Sequence, residues 1–241
     1  MAGHSKWKNN LGRKTAQDAK RSKSFGKLSR AITIAVLEGG SADPNFNPRL
    51  RVAIEKAKED SMPKDNIERA IAKGSGPDKN SLHSILYEIF GPGGVHILAT
   101  ATSDSPNRTN SEIHSMVERH HGKMGSSGSV RHMFVHCGLV IIQNSVASDV
   151  EEKLLMLAEN LQALDIETED EENSMYFPFT MMGKAPEILQ ASQMSVISQP
   201  QVIYKPIITT SITDEIGEKL ATLIEILENH DEVQDVFHNA I

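Results

Sequence analysis

Nine lysines and arginines stand within the first thirty residues: Lys6, Lys8, Arg13, Lys14, Lys20, Arg21, Lys23, Lys27 and Arg30, against the single acid Asp18. Closely spaced cations of this kind contact several phosphates at once, release condensed counterions and bind with steep salt dependence. Trp7, the only tryptophan, lies between Lys6 and Lys8. An indole there is placed to stack on a base or ribose while its neighbours hold the backbone. Through Lys73 the chain carries 16 basic and 8 acidic residues, whereas residues 74–241 carry 9 and 24. One end therefore suits a polyanion and the remainder repels it. The competing reading is a solvated helix face with Trp7 packed on it, but the charge is too one-sided for ordinary surface mixing. The candidate nucleic-acid-binding set is Lys6, Trp7, Lys8, Arg13, Lys14, Lys20, Arg21, Lys23 and Lys27. Charge of this sort does not choose DNA over RNA.

Other residues invite different chemistry. His120, His121, His132 and His136 stand near Cys137. A strand over Val130–Cys137 would put His132 and His136 on one side, as two metal ligands require. No tight Cys/His quartet accompanies them, and Met133 and Phe134 suit ordinary strand packing, so neither metal nor cofactor is expected. Gly91-Pro92-Gly93-Gly94 lacks a following helix and a Lys-Ser/Thr pair, which excludes a P-loop and leaves a hairpin connection. The glycines at 122, 125 and 128 precede a strand and read as a connector, with a backbone approach to phosphate as the weaker alternative. Five carboxylates within Glu167–Glu172 read as a solvated turn without a pKa-raising partner. No Ser/His/Asp or Cys/His set has local support, so an enzyme is not expected. A metal-dependent enzyme or sensor built on His132 and His136 is the weakest functional reading.

The elements that must hold these residues follow from length and periodicity. At 241 residues, two or three domains are expected. One cysteine permits no intramolecular disulfide, which fits a reducing compartment. No apolar h-region or membrane-length run is present, so a cytoplasmic protein without membrane contact is expected. Phe25, Leu28, Ile32, Ala35 and Val36 share one face of a helix from about Thr15 to Leu37, ended by Gly39-Gly40. Asn47-Pro48 caps a second helix; Met62-Pro63 starts a third, with Gly74 as its stop. Strands follow at Ile85–Phe90 and Val95–Thr102, then a helix opened by the capping box Thr109-x-x-Glu112. Strands Val130–Cys137 and Leu139–Gln143 come next, then a helix capped at Ser148. Strands near Asp165–Glu169 and Met175–Thr180, a short helix at Pro186 and a strand Gln201–Tyr204 complete a β-α-β-β-α-β order. A helix around Ile216–Leu227 and a strand Val233–His238 close the chain. The expected fold is α+β and multidomain: a basic helical bundle (1–76), a middle α+β domain (77–137 and 207–241), and an inserted ferredoxin-like α+β domain (138–206).

The opening Met1-Ala2-Gly3-His4-Ser5-Lys6-Trp7 and Arg13-Lys14-x-Ala16-Gln17-Asp18-Ala19-Lys20-Arg21 resemble the YebC/PmpR family. So do Asn47-Pro48-Arg49-Leu50-Arg51, Met62-Pro63-Lys64-Asp65-Asn66-Ile67-Glu68-Arg69-Ala70-Ile71, Gly91-Pro92-Gly93-Gly94-Val95, Asn107-Arg108-Thr109 and Asp235-Val236-Phe237-His238-Asn239-Ala240. The resemblance spans nearly the whole chain. It implies three domains, the last inserted into the second, and a DNA-binding transcriptional regulator. It also implies an alternative, because mitochondrial relatives activate translation of a cytochrome oxidase subunit and bacterial members have been linked to ribosomes and stalled synthesis. In that reading the partner is ribosomal RNA, and in both the acidic domains are free to take protein partners. The sequence departs from the family pattern at Asn9-Asn10-Leu11-Gly12, Ser105-Pro106 and Arg131-His132.

Overall fold

The computed structural model describes residues 24–76, 82–143, 150–169 and 172–241. Of the candidate nucleic-acid-binding set, Lys6, Trp7, Lys8, Arg13, Lys14, Lys20, Arg21 and Lys23 lie outside the described residues, as does the expected cap at Ser148. Among the described residues no helix is long and apolar enough to cross a membrane.

Among the described residues, three helices come first: α1 (24–39), α2 (Pro48–Glu59) and α3 (Lys64–Ser75). Their apolar stripes meet in one core of Leu28, Ile32, Val36, Leu50, Ile54, Ala57, Met62, Ile67 and Ala70. Asn47 caps α2 as expected: its Oδ1 accepts from Leu50 N at 3.1 Å, and its buried Nδ2 donates to the Ala35 and Ser41 carbonyls. Gly74 is not the stop that the sequence predicts. The α3 helix runs through it to Ser75, and a Cβ there would lie 2.7 Å from Val36 Cβ. Glycine at this point lets α1 and α3 approach closely; it does not end the helix.

The first sheet contains β1 (His83–Phe90), β2 (His96–Ser103), β3 (Lys123–Met124) and β8 (Val233–His238), in the order β3-β1-β2-β8, all antiparallel. The Gly91–Gly94 connection is the expected tight turn, with Gly93 and Gly94 at φ 70° and 80°. Helices α4 (Pro106–Arg119) and α7 (Asp214–Glu228) cover the sheet, burying Ile89, Ile97, Ile113, Val117, Leu223 and Leu227. The α4 helix starts at Pro106 with Ser105 as N-cap, so Thr109 does not open it. Its hydroxyl is spent on Ser103, the Ser105 carbonyl and the Glu232 carboxylate.

Val130–Cys137 and Leu139–Gln143 are not two strands in two sheets. Arg131–Met133 is a 3-10 turn, and β4 (Phe134–Gln143) is one continuous strand of the second sheet. A domain boundary at 137/138 therefore falls inside a strand. Next to β1 in the first sheet stands β3, from the Gly/Ser-rich loop. The second sheet adds β5 (Asp165–Thr168), β6 (Glu172–Pro178) and β7 (Gln201–Pro206) in the order β5-β6-β4-β7. With α5 (Val150–Leu161) and α6 (Ala185–Ser192) packed on one face, this is the expected β-α-β-β-α-β ferredoxin-like arrangement. Gly138 allows β4 to pass beneath Phe177, whose ring carbons lie 2.3 Å from where a Cβ would stand.

Candidate nucleic-acid interface

Along the sequence, positive charge is concentrated before residue 24, where the described residues begin. Residues 1–23 hold seven Lys/Arg against one acid, whereas residues 24–73 hold nine against seven. Most of those nine are engaged within the fold. Arg49 pairs with Glu38, Lys56 with Asp235 at 3.7 Å, Lys58 with Glu55 at 2.7 Å and Lys64 with Glu68 at 3.5 Å. Arg51 donates to the Pro44 and Asn45 carbonyls, and Arg69 to the Asp65 carbonyl and Asn66. The electropositive excess therefore resides in the segment that leads into α1.

Lys27, the one described member of the candidate set, does not project as an uncommitted phosphate contact. Its Nζ donates to the Glu228 carbonyl at 2.7 Å, at the C-terminal end of α7. One turn further along α1, Arg30 donates to the Asp231 carbonyl. The last turn of α7 has no cation of its own. Lys27 thus supplies, from another element, the positive charge that a helix C-terminus favours.

A second junction joins the bundle to the ferredoxin-like sheet. The Arg49 guanidinium lies 4.9 Å from the Phe179 ring centroid, and His136 stacks on Phe179 at 4.5 Å and on Tyr204 at 4.8 Å. Arg131 covers Tyr204 at 4.8 Å, and Tyr204 meets Phe237 of β8 edge-on. These aromatic faces are turned to one another, so the column is a packing device rather than a base-stacking platform. Burial, then the charges of Arg131 and Arg49, hold the His136 pKa below its usual value. The metal reading of His132 and His136 fails on geometry: His132 belongs to the 3-10 turn, with Nδ1 3.0 Å from the Gly128 carbonyl, while His136 is inside the aromatic stack.

The Gly/Ser-rich loop is tethered, and the amides at its end are committed. Glu88, buried on β1, accepts from the N–H groups of Gly128 (2.5 Å), Val130 (2.6 Å) and Arg131 (2.7 Å). Burial alone would raise the Glu88 pKa, but these three bonds and the Arg131 charge outweigh it and the net shift is downward. An anion approaching the loop would compete with a carboxylate already in place. Sequence reasoning missed Glu88; its signal is a lone acid inside the otherwise apolar Ile85–Phe90.

Among the described residues, Glu112, His230 and Glu232 bring three potential ligand atoms within 4.8 Å of one another. The hydrogen bonds assign them a structural role. His230 Nδ1 accepts from Glu232 N at 3.2 Å, so the neutral ring carries its proton on Nε2, directed at Glu112 Oε2 at 2.9 Å. That leaves no ring lone pair for an ion. Glu232 uses one oxygen on Arg108 (2.7 Å) and the other on Thr109. The Asn107-Arg108-Thr109 motif therefore binds α4 to the start of β8. Of the acidic run, Glu167 is partnered, and Asp165 shares its partner: Lys205 Nζ lies 2.9 Å from Asp165 and 2.5 Å from Glu167, and Tyr176 donates to Glu167 at 2.6 Å.

Known proteins provide the frame for these arrangements. Residues 5–77 match the TACO1/YebC protein N-terminal domain, and residues 82–240 match the TACO1/YebC second and third domain. A protein of Syntrophomonas wolfei named "Probable transcriptional regulatory protein" is 39% identical over 241 residues, covering 99% of this chain and 96% of its own. A protein of the same name from Geobacillus thermodenitrificans is 40% identical over 240 residues, with the same coverage. The crystal structure of a conserved hypothetical protein from Aquifex aeolicus is 37% identical with a TM-score of 0.80, over 93% of this chain and 91% of that one. With both its leading helices and its two sheets accounted for in this way, the chain belongs to the TACO1/YebC family.

Proposed function

We propose that this protein is a cytoplasmic, non-enzymatic regulator of gene expression that holds nucleic acid by its sugar-phosphate backbone. DNA is its target and transcription the process it regulates. The grip is made by Lys6, Lys8, Arg13, Lys14, Lys20, Arg21 and Lys23, with Trp7 stacking on a base or sugar. The observation that carries this reading is the partition of charge: seven cations against one acid in residues 1–23, and 9 against 24 in residues 74–241. The names of the Syntrophomonas and Geobacillus relatives support a transcriptional role. In this reading the chain has three units: the basic leading unit and two α+β units, the second beginning near Phe134. The acidic units stand off from the polyanion and offer surfaces to protein partners.

Crosslinking in cells, followed by sequencing of both recovered nucleic acids, tests the target. Enrichment of promoter DNA is expected. Recovery of ribosomal RNA without promoter DNA would replace the reading with a ribosome-associated translation factor using the same cations. In vitro, engagement of about six phosphates gives a slope near −5 for log K against log salt on duplex DNA. A flat plot removes backbone gripping.

A further inference from the structure

We propose that Lys27 and Arg30 form a latch that seats α1 on the end of α7 and the turn after it, and that this seating supports nucleic-acid binding without either side chain touching phosphate. The inference rests on the backbone-gripping reading above and reassigns one member of its residue set. Both acceptors are backbone oxygens: Glu228 O belongs to the last residue of a 15-residue helix that lacks a cation in its last turn, and Asp231 O lies in the turn that follows. Carbonyls at a helix C-terminus have no intrahelical partner and carry the negative end of the macrodipole, so a cation held there is favoured. Lys27 and Arg30 are three residues apart and share a face of α1; their acceptors are also three residues apart, so one helix face meets the end of α7 and the turn after it in register. A second tie runs the same way, from Lys56 of α2 to Asp235 of β8. On the other side, Ser24 donates to Asp60 at 3.1 Å, fastening α1 to the end of α2. Held at Glu228 O, the Lys27 ammonium has one of its three donors turned to the end of α7 rather than toward a phosphate. A cation that touches no phosphate releases no counterions when nucleic acid binds, whereas one that fixes α1 in place acts by preorganisation.

The test uses the full chain and a mixed-sequence DNA duplex titrated across salt concentrations. Lys20→Met and Lys23→Met should each reduce the steepness of log K against log salt by about 0.9. The double variant Lys27→Met/Arg30→Met should keep the wild-type slope while weakening binding about tenfold at every salt concentration, as loss of preorganisation predicts. Lys27→Arg, which keeps a donor at the carbonyl, should bind as the wild type does. Spin labels at Ala31 and Thr222 should report a broader distance distribution in the double variant than in the wild type. A slope in the double variant that falls by about 1.8 makes both residues phosphate contacts and overturns the latch. So does unchanged affinity, or an unchanged label distance. A flat wild-type plot instead sinks the gripping reading, while the label distances still decide the latch.

Discussion

The two four-stranded sheets neutralise their carboxylates in opposite ways. In the first sheet, Glu88 and Glu232 are buried, 7% and 8% exposed, and each is closed off by fixed donors: three backbone N–H groups for Glu88, Arg108 and Thr109 for Glu232. In the second, Asp165 and Glu167 stand at the surface and share one long lysine that reaches over the Tyr176 ring. A buried carboxylate met by rigid donors organises the chain around it, because removing it strands several amides at once. An exposed carboxylate met by a flexible lysine gains little beyond what water gives. The first sheet thus uses acids as architecture, and the second carries them as surface charge.

Glu88→Gln should break this contrast most sharply. It removes a charged acceptor from three N–H groups and should cost about 3 kcal/mol, with amide exchange at Gly128, Val130 and Arg131 accelerating by orders of magnitude. If those amides keep their protection, Glu88 does not organise the loop. The same residue gives a pH signature. Its native pKa is depressed, so its contribution is full above the ordinary carboxylate value of 4.5 and is lost as pH falls through the lower native value. Denaturant titrations at stepped acid pH should show that loss in the wild type and a shallower one in Glu88→Gln.

Glu232→Gln is the next test. The amide still accepts from Thr109 but no longer balances Arg108, and stability should drop by about 1–2 kcal/mol, with exchange protection falling at the start of α4. Lys205→Met should have the smallest effect, under about 1 kcal/mol, because its partners are more than half exposed. Its spectroscopic consequence is clearer. The hydrogen bond from the Lys205 ammonium is the main influence holding the Asp165 and Glu167 pKa values down, so both should move upward in carbon-detected titrations of the variant. A loss from Lys205→Met equal to that from Glu88→Gln would erase the distinction between the sheets.

Much of the scaffold was legible without coordinates because the forces that set it are local. The apolar spacing of Leu28, Ile32 and Val36, the Asn47-Pro48 cap and the positive-φ glycines of the Gly91–Gly94 turn are each decided within a few residues. The misreadings share one cause. Gly74 and Gly138 resemble a helix stop and a strand break, yet each makes room for a side chain distant in sequence, Val36 in one case and Phe177 in the other. Thr109 resembles an N-cap, but its hydroxyl serves Glu232, 123 residues away. The aromatic column unites Arg49, Phe179, His136, Tyr204 and Arg131, and no local pattern announces it.

The amino-acid order alone determined where positive charge accumulates, which stretches coil or extend, and that an α+β chain of ferredoxin-like character results, since composition and short-range periodicity suffice for these. Only the tertiary structure decided which charges remain available. A side chain's partner is set by long-range packing, and it was packing that committed Lys27 to the end of α7, Glu88 to the glycine loop and Glu232 to the head of α4.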